Sequence, residues 1–171
     1  LDKNNIKYTG SGANASSLCM DKARSKEIAK KNGIETPDWQ LIQKANQEVK
    51  ISLPFVVKPN DQGSTVGLSI VKNDKFIQPA LDKAFQHGDK VIIEQYISGR
   101  ELTIPIIDED AYPIVEISPT NNYYDYECKY TPGMSEYSCP ANLDQNLVEK
   151  IESNTMVLFQ NFDCSVYARA D

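Results

Sequence analysis

A lysine closing one apolar run, and the polar turn that follows it, carry the clearest chemical potential in this chain. Residues 55–57 and 66–70 are apolar, and between them stand Lys58, Pro59, Asn60, Asp61, Gln62, Gly63, Ser64 and Thr65. The pattern predicts strand, loop, strand. Lys58 supplies positive charge at a strand end. The loop offers hydroxyls, exposed backbone N–H groups and a glycine that lets a ligand approach the backbone closely, a combination that can cradle phosphate. An ordinary hairpin with a solvated lysine at its edge accounts for the same residues equally well. The loop is not a Walker loop, because no G-x-x-x-x-G-K-[ST] pattern occurs and no helix clearly follows.

The elements that would hold this loop can be read along the chain. Ser16 and Ser17 can open a helix that runs through Lys22 to a stop at Asn32 and Gly33. Residues 39–42 suggest a short strand, and 43–52 fit a linker or a weak helix equally well. Asn73 and Asp74 should cap a helix through Phe85, with Pro79 forcing either a kink or a start nearer Gln78. Strands are expected over 91–96, 102–107 and 114–117, with a hairpin tip at 108–110. Strand following strand predicts an antiparallel sheet in this half. Residues 119–140 form a long tyrosine-rich loop, of the kind that is either disordered or functional, and its aromatics argue for something packed. Asn142 is expected to cap a helix bearing Leu147, Ile151 and Leu158 at helical spacing, and 166–170 to form a last strand ending at Asp171.

Composition narrows the function. The chain has 171 residues, 40% hydrophobic and 25% charged, enough for one domain or two small ones with a real core. Its net charge of −6 argues against a general nucleic-acid binder. No apolar run approaches membrane-spanning length. Cys19, Cys128, Cys139 and Cys164 contain no Cys-x-x-Cys pair, and with a single histidine, His87, they make a poor zinc set. Free thiols are the expected state, and His87 reads as a solvated helix end.

Four motifs occur in order: Val-Val-Lys-Pro-Asn-Asp-Gln-Gly-Ser-Thr-Val-Gly at 56–67, Ile-Ile-Glu-Gln-Tyr-Ile-Ser-Gly-Arg-Glu-Leu-Thr at 92–103, Tyr-Asp-Tyr-Glu-Cys-Lys-Tyr at 124–130 and Tyr-Ala-Arg-Ala-Asp at 167–171. Together they closely resemble the D-alanine–D-alanine ligases of the ATP-grasp superfamily, and the resemblance covers essentially the whole chain. It implies an α+β ATP-grasp fold, two subdomains with mainly antiparallel sheets gripping ATP between them. Residues 1–18 would be the tail of an N-terminal domain, 19–92 the small subdomain, and 93–171 part of the large one with a lid at 119–140. The chain would then be a fragment of a longer protein.

The same resemblance implies the roles of single residues. Lys22 (in a Met-Asp-Lys motif), Lys58 and Lys129 would neutralise the triphosphate, helped by the backbone of Gly63, Ser64 and Thr65. Ile92, Ile93 and Ile97 offer the apolar slot that adenine needs, and the resemblance implies that Glu94, Gln95 and Ile97 meet the base and that Glu101 accepts from the ribose. Asp171 would bind magnesium or manganese. Arg169 would stabilise a developing oxyanion, and Ser64 and Tyr130 would belong to a hydrogen-bonded substrate network. Without the family pattern, Glu94, Glu101 and Arg169 read more simply as solvated strand residues, and Lys22 as a helix-surface lysine. The implied reaction joins two D-alanines through an acyl phosphate, for peptidoglycan synthesis, in a cytoplasmic homodimer. Rivals are a ligase with another second substrate and a non-catalytic nucleotide-binding module. Departures are modest: Gln62 stands where Glu is common, Thr65 where Ser is common, and Val166 where Gly is frequent.

Overall fold

The computed structural model describes residues 1–120, 128 and 130–171. Lys129 and most of the 124–130 motif therefore lie outside the described residues. Two antiparallel sheets organise the rest. The first has strand order β1-β4-β2-β3, from β1 (Trp39–Ile42), β2 (Phe55–Pro59), β3 (Ser69–Val71) and β4 (Val91–Gln95). Strict alternation in β2 buries Phe55, Val57 and Pro59 on one face and half-exposes Val56 and Lys58 on the other. The buried face meets α3 (Ile77–Phe85), whose Ala80, Leu81 and Ala84 recur at helical spacing. Their contact with Phe55, Val57, Val71, Val91 and Ile93 forms the denser of the two cores. Burying a side chain such as Phe55, 1% exposed, is worth about 1.5–3 kcal/mol.

The second sheet is built on β5 (Glu101–Ile107), which pairs with β6 (Asp110–Ala111), β7 (Val115–Pro119) and β9 (Tyr167–Ala170). β8 (Ser135–Ser138) extends it beyond β7. Part of the stretch expected as loop is thus an edge strand. Ile104, Ile114 and Ala141 form the buried centre beneath α4 (Gln145–Asn161), with Val148 and Ile151 packed on it. β4 belongs whole to the first sheet, so the chain crosses to the second at 96–100 rather than at residue 92.

Several local expectations give way to specific physics. The single helix expected from Ser16 is two, α1 (Ala13–Met20) and α2 (Lys22–Lys31). Asp21 interrupts them with extended backbone and caps α2 by accepting from Arg24 N. Residues 43–52 contain no helix or strand, which leaves the linker of the two readings. Asn73 caps only a 3-10 turn at Asp74–Phe76, and α3 starts at Ile77, next to the Gln78 start expected as the alternative to a kink. Pro79 falls in its first turn, where no intrahelical N–H bond is lost. α4 is capped by Asp144, accepting from Leu147 N, and not by Asn142. Among the described residues no helix is long and apolar enough to cross a membrane.

Candidate functional site

The two sheets face each other across a cavity of about 330 Å³, in the range of small-molecule sites. β2 and β4 send in Lys58 and Glu94 from their half-exposed faces, Gln95 ends β4, and the crossing segment adds Tyr96 and Ile97. Glu101 opens β5, and Arg169 and Asp171 close the far side. Thr65 completes the set, so eight of the sequence candidates line one cavity. Its apolar wall differs from the expected one. Ile92 and Ile93 are fully buried in β4. The cavity is walled instead by Val56, Leu68, Ile70, Leu102 and Ile117.

Glu94 is the electrostatic centre. Lys58 Nζ donates to its Oε1, and Lys26 Nζ sits 3.0 Å from its Oε2. Burial opposes the charge on Glu94, yet the two ammoniums outweigh it and hold the carboxyl below the usual carboxylate range. Lys26 also donates to Thr36 Oγ1 and to Pro37 O at 3.4 Å, and Pro37 is itself a wall of the cavity. Sequence reasoning missed Lys26. Its signal was position: it lies four residues after Lys22, on the same helical face.

Lys22 does not line the cavity; its Nζ donates to Gln62 O at 2.6 Å and Asn60 O at 3.3 Å, tying the helix start to the loop. Burial, then the nearby Lys58 charge, pushes its ammonium below the ordinary lysine value. Asn60, read from sequence as a turn former, is 3% exposed and fastens the loop. Its Oδ1 accepts from Ala23 N, and its Nδ2 donates to Asp21 Oδ1.

The loop itself departs from the expected cradle. Gly63 has open space where a Cβ would stand, and the left-handed backbone falls on Ser64 (φ 52°) and Thr65 (φ 59°). Gly67 is the glycine the fold requires: its φ is 72°, and a Cβ there would sit 2.9 Å from Pro59 and 3.0 Å from the His87 ring. The Val66 and Leu68 N–H groups close turns onto the Gly63 and Thr65 carbonyls. Ser64 Oγ lies 2.9 Å from the Tyr130 hydroxyl, outside the cavity residues.

On the far wall Asp171 pairs with Arg169, Nε to Oδ1 at 2.9 Å and Nη2 to Oδ2 at 3.0 Å. Thr103, 8% exposed, donates to Asp171 Oδ1 at 2.7 Å. A buried hydroxyl aiming an exposed carboxylate is a positioning contact that residue type alone did not reveal. Among the described residues no three His, Cys, Asp or Glu gather to hold a metal. Asp171 fits a magnesium ion as one hard oxygen ligand, the kind of site that takes its other oxygens from phosphates and water. Val166, where glycine is frequent, has φ 67°, a left-handed conformation that glycine adopts freely and a β-branched residue does not.

Two antiparallel sheets in this order, closing on a cleft of lysines and carboxylates, define an ATP-grasp fold. The family described as "D-ala D-ala ligase C-terminus" matches residues 26–171. The chain belongs to this D-alanine–D-alanine ligase family. It is 39% identical, over its whole length, to 57% of the D-alanine–D-alanine ligase of Syntrophotalea carbinolica. It is 36% identical, again over its whole length, to 59% of that of Halalkalibacterium halodurans. Among solved structures, D-alanine–D-alanine ligase from Bacillus anthracis superposes with TM-score 0.85 at 36% identity, covering 99% of this chain and 57% of that one. The VanG D-Ala:D-Ser ligase from Enterococcus faecalis gives TM-score 0.84 at 26% identity, covering 98% and 52%. The chain thus spans a little over half the length of the relatives it matches.

Proposed function

We propose that the protein ligates two D-alanines at the expense of ATP, with the cavity between the sheets as the nucleotide site. The observation that carries this reading is the convergence of Lys58, Glu94, Gln95, Ile97, Glu101, Arg169 and Asp171 on one cavity in a member of this family. A solved Bacillus anthracis relative complexed with ATP, 34% identical with TM-score 0.82, supports it.

In this reading ATP is a substrate. The adenine lies against Val56, Ile70 and Ile97, with Glu94 and Gln95 at its edge and Glu101 toward the ribose. Lys58, Lys22 and Lys129 neutralise the phosphates, and Lys58 exchanges Glu94 for phosphate oxygen on binding. Magnesium or manganese, held by Asp171, would supply charge neutralisation and orientation of the phosphates. One D-alanine carboxylate attacks the γ-phosphorus and ADP departs. The amine of the second D-alanine then attacks the acyl phosphate, a C–N bond forms, and inorganic phosphate leaves. Arg169 faces the oxyanion that develops at the acyl carbon. Ser64 and Tyr130 orient the second substrate. The product serves peptidoglycan synthesis, and we place the protein in the cytoplasm as a homodimer.

The VanG relative favours D-serine as the second reading for the attacking amino acid. Phosphate release from ATP by the whole protein, with D-alanine alone and with D-alanine plus D-serine or D-lactate, tests both. Release with D-alanine alone, accompanied by D-alanyl-D-alanine, is expected. Release only when D-serine is added would replace the first reading by the second, and no release with any of the three would remove both.

A further inference from the structure

Behind the nucleotide cavity lies a second one, of about 550 Å³, which shares Lys58, Glu94, Arg169 and Asp171 with it. Two cysteines on its wall come from opposite ends of the chain. Cys19 sits in the last turn of α1, and Cys164 follows α4, three residues before β9. Their sulfurs are 3.7 Å apart. Both are free thiols, Cys19 exposed and Cys164 half-buried. A disulfide needs about 2.05 Å between sulfurs, so roughly 1.6 Å of closure, within reach of side-chain rotation, separates the pair from a bond.

Independent contacts hold this approach. Ser11 Oγ donates to Ser165 O at 3.1 Å and accepts from Ser165 N at 3.0 Å, pinning the residue beside Cys164 to the segment that enters α1. Cys164 N donates to Phe159 O at 3.0 Å, fixing it to the end of α4. The meeting of the two thiols is therefore a property of the backbone on both sides.

We propose that Cys19 and Cys164 are a modification site, a facing dithiol that closes reversibly into a disulfide when a small-molecule disulfide is supplied. One protein thiolate attacks a sulfur of the reagent, forming a mixed disulfide and releasing one small thiol. The second protein thiolate attacks the protein-side sulfur, the 19–164 bond forms, and the second small thiol leaves. The two cysteine protons end on the two released thiols; the protein pair is oxidised by two electrons and the reagent reduced by two. Burial, then the neighbouring Cys164, pushes the Cys19 thiol up to about 11, so closure quickens as pH rises above neutrality. The bond would tether the helix that precedes Asp21 and Lys22 to the turn that leads into Arg169 and Asp171.

The test uses the whole protein with oxidised glutathione at mildly alkaline pH. Peptide mapping should recover one cross-linked species joining the Cys19 and Cys164 peptides. Intact mass should fall by about 2 Da, the loss of two hydrogens, titratable thiols should fall by two, and dithiothreitol should restore both. Cys19→Ser and Cys164→Ser should each stop at a mixed glutathione adduct or stay reduced. Wild-type protein that yields only glutathione adducts, no reaction, or a cross-link between other cysteines would overturn the proposal, whatever the fate of the variants.

Discussion

The two sheets that enclose the cavity are made differently. The first packs a continuous set of buried residues against α3, with Ile42, Val57, Val91, Ile93 and Ala84 all fully inaccessible. The second centres on Ile104, Ile114 and Ala141, surrounded by partly buried neighbours such as Leu102, Leu143 and Ile151. Their contributions to the cavity follow the same division. Lys58 and Glu94 stand on a rigid wall, with side chains 22% and 13% exposed and Lys26 locking them from behind. Arg169 and Asp171 are 64% and 61% exposed and are aimed by each other and by Thr103. Local stability tracks burial, so in the proposed nucleotide site the base and phosphates would meet the fixed wall and the reacting groups the freer one.

Truncation in each core sharpens that comparison most. Ile93→Ala should cost about 4 kcal/mol, whereas Ile114→Ala, whose surroundings can collapse into the gap, should cost about 2–3 kcal/mol. Chemical denaturation measures both, and equal losses would erase the distinction between the sheets.

A smaller effect is expected at the charge cluster. Lys26→Met leaves Glu94 with one partner and frees Thr36 and Pro37, at a cost of about 2 kcal/mol. The pH dependence has a definite sign. Because the folded Glu94 carboxyl lies below its ordinary value of 4.5, its contribution is fully present above that value and is lost as pH falls through the depressed one. Glu94→Gln should therefore lose less stability than wild type between about pH 5 and pH 3. Identical acid limbs in urea titrations would show that the cluster does not stabilise the fold.

The least effect belongs to the exposed side. Val166→Gly should relieve the left-handed strain and raise stability by about 1 kcal/mol, net of the backbone entropy that glycine loses on folding. A drop in thermal midpoint would mean that Val166 packing matters more than its backbone.

What was legible in the sequence divides along the same line. Strand-like apolar runs led to β2, β4, β5 and β9, because short apolar segments with punctuating turns carry their signal locally. The residues that converge on the cavity were legible only through the four ordered motifs and the family they resemble. The break at Asp21 escaped because capping competes with helix continuation through one side chain, against a sequence that otherwise suits a single helix. Asn60, Lys26 and Thr103 escaped because their partners, Asp21, Glu94 and Asp171, lie far away along the chain and meet them only through the fold. Gly63 drew attention as a glycine in a polar turn, but steric need falls on Gly67, which only the approach of Pro59 and His87 reveals.

Nucleotide binding to Lys58 variants tests the account most directly. Calorimetric titration of ATP with magnesium should show binding to wild type and a roughly 10–100-fold weaker affinity for Lys58→Ala, the loss of a charge-assisted contact, with the far-ultraviolet circular dichroism unchanged. The same affinity in both proteins, with the fold intact, would contradict the placing of the phosphates beside Lys58 and with it the cavity between the sheets as the nucleotide site.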